Sequence, residues 1–236
     1  MRMRWLFGAL VALLLVGCAK FPDSGTGGFT KRLIMKMSMD GAIRTGLESG
    51  GSGLPYVYIF ALRLSTDETP TTTGPLPVVT PGGNGFVAGH CTHFVLWNPL
   101  ASPQYTIWQF NDETTLNEWT QIGVPINYKT IAVGDKELEC EIDLSQLVPA
   151  GTVDTIKGIQ INFLTMNNTL VTGGGRVWDA LGDGRNPGDI NRPFLFQPRV
   201  SQTFNNTNQS LIEPTDSDCV DPDLDLRDWS VEVSLP

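Results

Sequence analysis

The segment Glu137 to Leu144 (ELECEIDL) alternates without a break: Leu138, Cys140, Ile142 and Leu144 against Glu137, Glu139, Glu141 and Asp143. A helix would spread those four acids around its girth. A strand puts them all on one face and the apolar set on the other, so this is a strand with one side in a core and one in water. The same period recurs. Leu33, Met35, Met37 and Met39 alternate with Lys36, Ser38 and Asp40. Ile159, Ile161 and Phe163 alternate with Gln160 and Asn162, and Trp229, Val231, Val233 and Leu235 with Ser230, Glu232 and Ser234. Tyr56 to Leu64 (YVYIFALRL) and Phe94 to Trp97 are apolar at successive positions, as strands covered on both faces are. Tyr105 to Phe110 and Ile126 to Val133 are further candidates.

Turn chemistry separates these runs, notably Pro81-Gly82-Gly83-Asn84-Gly85 and Gly173-Gly174-Gly175. The one helical expectation is a turn or two after Asp112 (DETTLNEW), with Asp112 as its cap. Eight or nine strands and almost no helical period predict an all-β fold over residues 30–236. Its form would be a single antiparallel β-sandwich of jelly-roll or immunoglobulin-like kind, with a barrel as the alternative. Ser65 to Gly85 and Arg199 to Arg227 are long irregular stretches, a length that marks function, disorder or an unrecognised strand. Pro75 to Val79 is a candidate short edge strand within the first of them.

The N-terminus carries an address. After Met1-Arg2-Met3-Arg4, Trp5 to Val16 is an apolar run of 12 residues. As a helix it would be about 18 Å long, short of a hydrocarbon core of about 30 Å, so it reads as a signal-peptide core. It ends in Leu15-Val16-Gly17-Cys18, which resembles the lipobox of bacterial lipoproteins. The resemblance implies recognition through Leu15 and Gly17, cleavage before Cys18, and acyl chains such as palmitate on Cys18. It divides the chain into a signal peptide (1–17), a lipidated Cys18 with a flexible tether (18–29) and the sandwich. Several acyl chains hold a protein on a bilayer where one is marginal. The expected location is the cell membrane or outer membrane, facing the periplasm or exterior. Ala19, where lipoproteins kept at the inner membrane of enterobacteria typically have Asp, leans it outward.

Formal net charge is −9, from 16 Lys and Arg against 25 Asp and Glu, and it reaches −11 once Arg2 and Arg4 leave with the leader. Such a surface repels phosphate backbones and argues against nucleic-acid binding. Lipidation of Cys18 leaves Cys91, Cys140 and Cys219. Cys140 belongs to an apolar strand face, while a Cys91–Cys219 bridge is open after export. The two histidines, His90 and His93, lie in one tetrapeptide without a third imidazole anywhere, and no paired CxxC spacing is present. Neither GxSxG, HExxH, a Walker loop nor a dinucleotide fingerprint occurs.

Two acidic loops suit a hard cation. Asp179, Asp183, Asn186 and Asp189 form a candidate calcium set in a glycine-rich loop, and Asp216, Asp218, Asp221, Asp223 and Asp225 form a second cluster. Solvated acidic turns are the alternative for both. Among the tryptophans, Trp108 and Trp178 are the candidate stacking residues for a ligand. Tyr56 to Leu62, Leu144-Ser145-Gln146-Leu147 and Trp178-Asp179 with its Gly/Asp loop are similar to extracytoplasmic carbohydrate-binding sandwiches of the family-nine type. That similarity implies a sandwich with a glycan-facing surface and carries over no individual binding residue. The expectation is a membrane-anchored, non-catalytic lipoprotein binding a glycan or an envelope protein through its loops. The alternatives are a structural envelope lipoprotein without a small ligand and a carboxylate-dependent glycoside hydrolase, with no catalytic residue assigned.

Overall fold

The computed structural model describes residues 31–46, 56–79, 83–167, 176–185, 192–209 and 213–236. Fourteen strands run through them: β1 (Arg32–Met39), β2 (Val57–Ser65), β3 (Pro75–Pro77), β4 (Val87–Gly89), β5 (His93–Trp97), β6 (Tyr105–Phe110), β7 (Trp119–Gly123), β8 (Asn127–Tyr128), β9 (Glu137–Asp143), β10 (Gly158–Met166), β11 (Trp178–Ala180), β12 (Phe194–Phe196), β13 (Gln202–Asn205) and β14 (Leu226–Ser234). All the strand pairings are antiparallel. One sheet has the order β13-β14-β1-β9-β8, the other β11-β10-β2-β5-β6-β7 with β12 also on β10, and β3 pairs with β4. The fold is an all-β sandwich, as the alternation predicts.

The acidic strand β9 lies beside β1 in register, and the two core-facing rows interleave: Leu33 faces Ile142, Met35 faces Cys140 and Met37 faces Leu138. On the water side the pairs are opposite charges, with Arg32 against Glu141 at 2.9 Å and Lys36 against Glu139 at 2.8 Å. β14 completes the surface with Trp229, Val231 and Val233. Against it the second sheet presents Tyr58, Phe60 and Leu62 of β2, Val95 and Trp97 of β5, and Ile159, Ile161 and Phe163 of β10. Burying large aromatics here removes the most apolar area from water, at about 25 cal/mol per Å².

The second sheet is covered on its other face too. Val57, Ile59, Ala61, Phe94, Phe110, Leu164 and Met166 form a separate cluster with Val87 and Cys91. This explains why β2 is apolar at successive positions from Val57 to Leu62. It also corrects the alternation in β10, where Gln160 and Asn162 face protein instead of water. Asn162 donates to the Pro75 carbonyl at 3.0 Å and accepts from the Leu181 amide at 3.1 Å. Gln160 donates to the Thr72 carbonyl at 3.2 Å and accepts from Arg63 at 3.1 Å. The covering segment accepts from both amides, and Arg63 and the Leu181 backbone donate to them, as burial requires.

Other boundaries also move. The run 126–133 pairs only at Asn127–Tyr128. No helix follows Asp112: its Oδ1 accepts from the Thr114 and Thr115 amides at 2.7 and 3.0 Å, and one turn ends at Leu116 with φ 52°. Asp143 instead caps a short 3₁₀ turn, Leu144–Gln146, in a reciprocal capping box. Of the long stretches, 65–85 holds β3, paired with β4, and 199–227 holds β13.

Candidate functional site: a buried carboxylate cluster and a tryptophan pair

β11 is an edge strand, held to β10 by Thr165 opposite Asp179 and Leu164 opposite Ala180. Its alternation turns Asp179 inward, where the side chain is 1% exposed. There it meets the segment that runs into β14. Asp179, Glu213 and Asp218 each bring one carboxylate oxygen to within 4.8 Å of the others. Asp225 adjoins them, its carboxylate against that of Asp218.

Backbone amides orient the group. Asp179 accepts from the Leu226 amide at 2.7 Å and the Ala180 amide at 2.8 Å. Glu213 Oε1 accepts from Gly182 at 2.9 Å, Asp218 Oδ2 from Gly184 at 2.5 Å, and Asp225 Oδ1 from Cys219 at 3.1 Å. Gly182 has φ 112°, a backbone region that favours glycine. Each of these last three carboxylates keeps a second oxygen, Glu213 Oε2, Asp218 Oδ1 and Asp225 Oδ2, that is buried and has no hydrogen-bond partner. Burial pushes the Asp179, Glu213 and Asp218 carboxyls above the ordinary range, and repulsion among them and Asp225 adds to the rise.

The surrounding segment is anchored independently. Asn206 accepts from the Glu213 amide at 2.6 Å and donates to the Glu213 and Arg227 carbonyls. Tyr58 donates to the Asp223 carbonyl at 2.9 Å, Thr165 to the Leu224 carbonyl, and the Asp40 amide to the Asp225 carbonyl at 2.9 Å.

The expected acidic residues separate accordingly. Asp179 of the first loop joins Asp218 and Asp225 of the second, so the two loops build one site. Asp183 is outside it: Arg185 grips its carboxylate at 2.9 and 3.0 Å. Asn186 and Asp189 lie outside the described residues. Asp216 is exposed, 3.9 Å from Arg185. Asp221 accepts from Tyr56 at 2.5 Å, and Asp223 accepts from the Ala42 amide at 2.8 Å and pairs with Arg44. Glu213 was missed, because a lone acid before a proline has no local pattern that marks it.

Trp108 and Trp178 share the outer face of the second sheet, but β10, β2 and β5 stand between their strands. Four strand spacings separate them by about 19 Å, too far to act on one sugar ring. The neighbour of Trp108 is Trp119, on β7. Phe110 lies directly opposite Trp119, and Trp108 opposite Gln121, which makes the two tryptophans diagonal neighbours about 7 Å apart. Trp119 is 36% exposed and Trp108 half-buried. Phe94 supports them from behind, stacked on Trp108 with centroids 6.1 Å apart, and Phe110 packs edge-on against Trp119.

Cys91, Cys140 and Cys219 are free and buried. The open bridge between Cys91 and Cys219 is thereby closed off, since Cys91 belongs to the outer cluster and Cys219 packs in the inter-sheet core. His93 is buried with Nδ1 2.9 Å from the Thr92 hydroxyl, and His90 is 3.9 Å from Glu113. Neither is in the acidic group, the one metal-compatible triad among the described residues. Leu15, Gly17 and Cys18 lie outside the described residues. No protein-family model, curated protein or solved structure matches the chain.

Proposed function

We propose that the chain is a lipid-anchored, non-catalytic β-sandwich, displayed outside the cytoplasmic membrane, that binds a glycan on the Trp108–Trp119 pair. The lipobox-like Leu15-Val16-Gly17-Cys18 supports the anchor. The observation that carries the binding reading is the exposure of Trp119, on the edge strand β7, beside Trp108 on the same face of β6. A solvated indole costs burial energy that a β-sandwich normally recovers, and its π face suits the C–H face of a sugar. Gln121, directly opposite Trp108, is exposed and offers an amide to hydroxyl groups.

The test is intrinsic fluorescence of the detergent-solubilised protein against a panel of cell-wall and plant polysaccharides. Binding is expected to quench and shift the emission. Trp119→Ala is expected to weaken it about tenfold, near 1.4 kcal/mol for a lost aromatic contact, with little effect on Tm. Trp178→Phe leaves it unchanged. A flat response across the panel rejects the glycan reading in favour of a protein partner or a structural envelope role. Cys18→Ser is expected to shift the protein from the membrane to the soluble fraction of its host.

A further inference from the structure

We propose that Asp179, Glu213, Asp218 and Asp225 form a binding site for a hard divalent cation of the calcium class, which fastens the β11 edge to the segment entering β14. The inference is independent of the glycan reading. An acidic cluster alone would not support it, since acidic groups are common on surfaces. Here three of the four are interior, Asp179, Glu213 and Asp225 being each 1% exposed, and Asp218 is half-buried beside them. Glu213 Oε2 and Asp225 Oδ2 face neither water nor a donor, and Asp218 Oδ1 shares that condition.

Buried carboxylate oxygens are expected to be paired or to coordinate a metal. The backbone amides leave each of these three side chains one oxygen held and one free, the arrangement that presents monodentate ligands without rotation. Arg185, the neighbouring guanidinium, is engaged with Asp183. The donors are all oxygen. The adjacent Cys219 turns its thiol to the Trp178 carbonyl at 3.7 Å and takes part only through its amide to Asp225. Oxygen-only donors disfavour zinc and copper. Several carboxylates gathered in one protein cage suit calcium better than magnesium, which keeps its waters and demands ideal geometry.

The cation would join parts of the chain that are distant in sequence. Asp179 is on the edge strand, Glu213 follows the Asn206 clamp, and Asp218 and Asp225 lead into β14, which pairs with the central strand β1. A bound ion therefore bridges the two sheets at one end of the sandwich.

The experiment uses the full-length lipoprotein in detergent, stripped with chelator and titrated with calcium, magnesium or terbium. One calcium per chain is expected by equilibrium dialysis. Tm should rise by about 5 °C or more at calcium one hundredfold above Kd, with a smaller response to magnesium. Trp178, adjacent to Asp179, should sensitise terbium luminescence, and calcium should displace it. Glu213→Gln with Asp225→Asn should abolish the calcium shift while leaving the cation-free Tm equal or higher, because it removes buried charge. A merely structural cluster would lose stability without any cation present. The proposal is overturned if the wild-type protein binds neither calcium nor terbium, an outcome that assigns the free oxygens to shared protons. Because dialysis and luminescence are read on the wild type, a variant that fails to fold does not decide the matter.

Discussion

His93 is a side chain whose protonation bears directly on the folded state. It lies in β5 between Leu62 of β2 and Gln109 of β6, 3% exposed, and burial pushes its pKa down to about 4. In the unfolded chain it titrates near 6.5. Between those values the unfolded chain takes up a proton that the folded one refuses. Stability from this group is thus complete above pH of about 6.5 and drains away as pH falls towards 4, by up to about 3 kcal/mol. Asp179 and Glu213 act with the opposite sign, since their raised carboxyls are relieved in acid and cost stability as pH rises. A comparison of wild type with His93→Gln isolates the histidine. Urea unfolding at pH 7 and pH 4.5 is expected to show wild type losing about 2–3 kcal/mol more than the variant. Equal losses would mean that the imidazole is solvated in the folded protein.

Among the elements, the β3–β4 hairpin depends on backbone more than on side chains. Gly89 ends β4 with φ +73°, and a Cβ there would strike the Gly74 carbonyl oxygen. A Cβ on Gly74 would itself lie 2.9 Å from Gln160 Cβ, so glycine at 89 lets β4 close on the start of β3 and glycine at 74 lets that segment approach β10. Gly89→Ala is expected to cost about 2–3 kcal/mol in urea denaturation. Gly134→Ala, with φ +92° and open space around it, serves as the control and should cost less. Equal costs would show that the backbone at Gly74 gives way to the added Cβ. The same contrast explains what the sequence could reveal. β1, β9 and β14 are half-buried and announce themselves by period two, and β2 by its continuous apolarity. β7 has exposed side chains at its first four positions, so burial imposes no pattern on it, and with it went Trp119. β12 and β13 are too short for a period to register. In the site, Asp179, Asp218 and Asp225 stood out as acids in turn-rich loops. Their convergence, and Glu213 with them, is a product of sheet pairing that no local window contains. Asp183 carried its own disqualification in Arg185 two residues on.

At the scale of the whole molecule, three thiols report on three regions. Cys140 lies between the sheets, Cys91 under the hairpin on the outer face, and Cys219 beside the carboxylate cluster. Burial pushes all three thiols up, Cys219 to about 12, so each is both shielded and un-ionised at neutral pH. Labelling with a thiol reagent is therefore expected to require opening of the fold. If both faces of the second sheet melt together, the three sites label at one rate, that of global unfolding, across a urea series. Faster labelling of Cys91 would show instead that the outer cluster opens as a separate unit, leaving the inter-sheet core closed. The endpoint in denaturant carries a further reading on protein taken from its native host. Three reactive thiols are expected under the proposed lipidation, which would consume the sulfur of Cys18. Four would mean a free Cys18, and the sandwich would then have to reach its surface without a lipid tether.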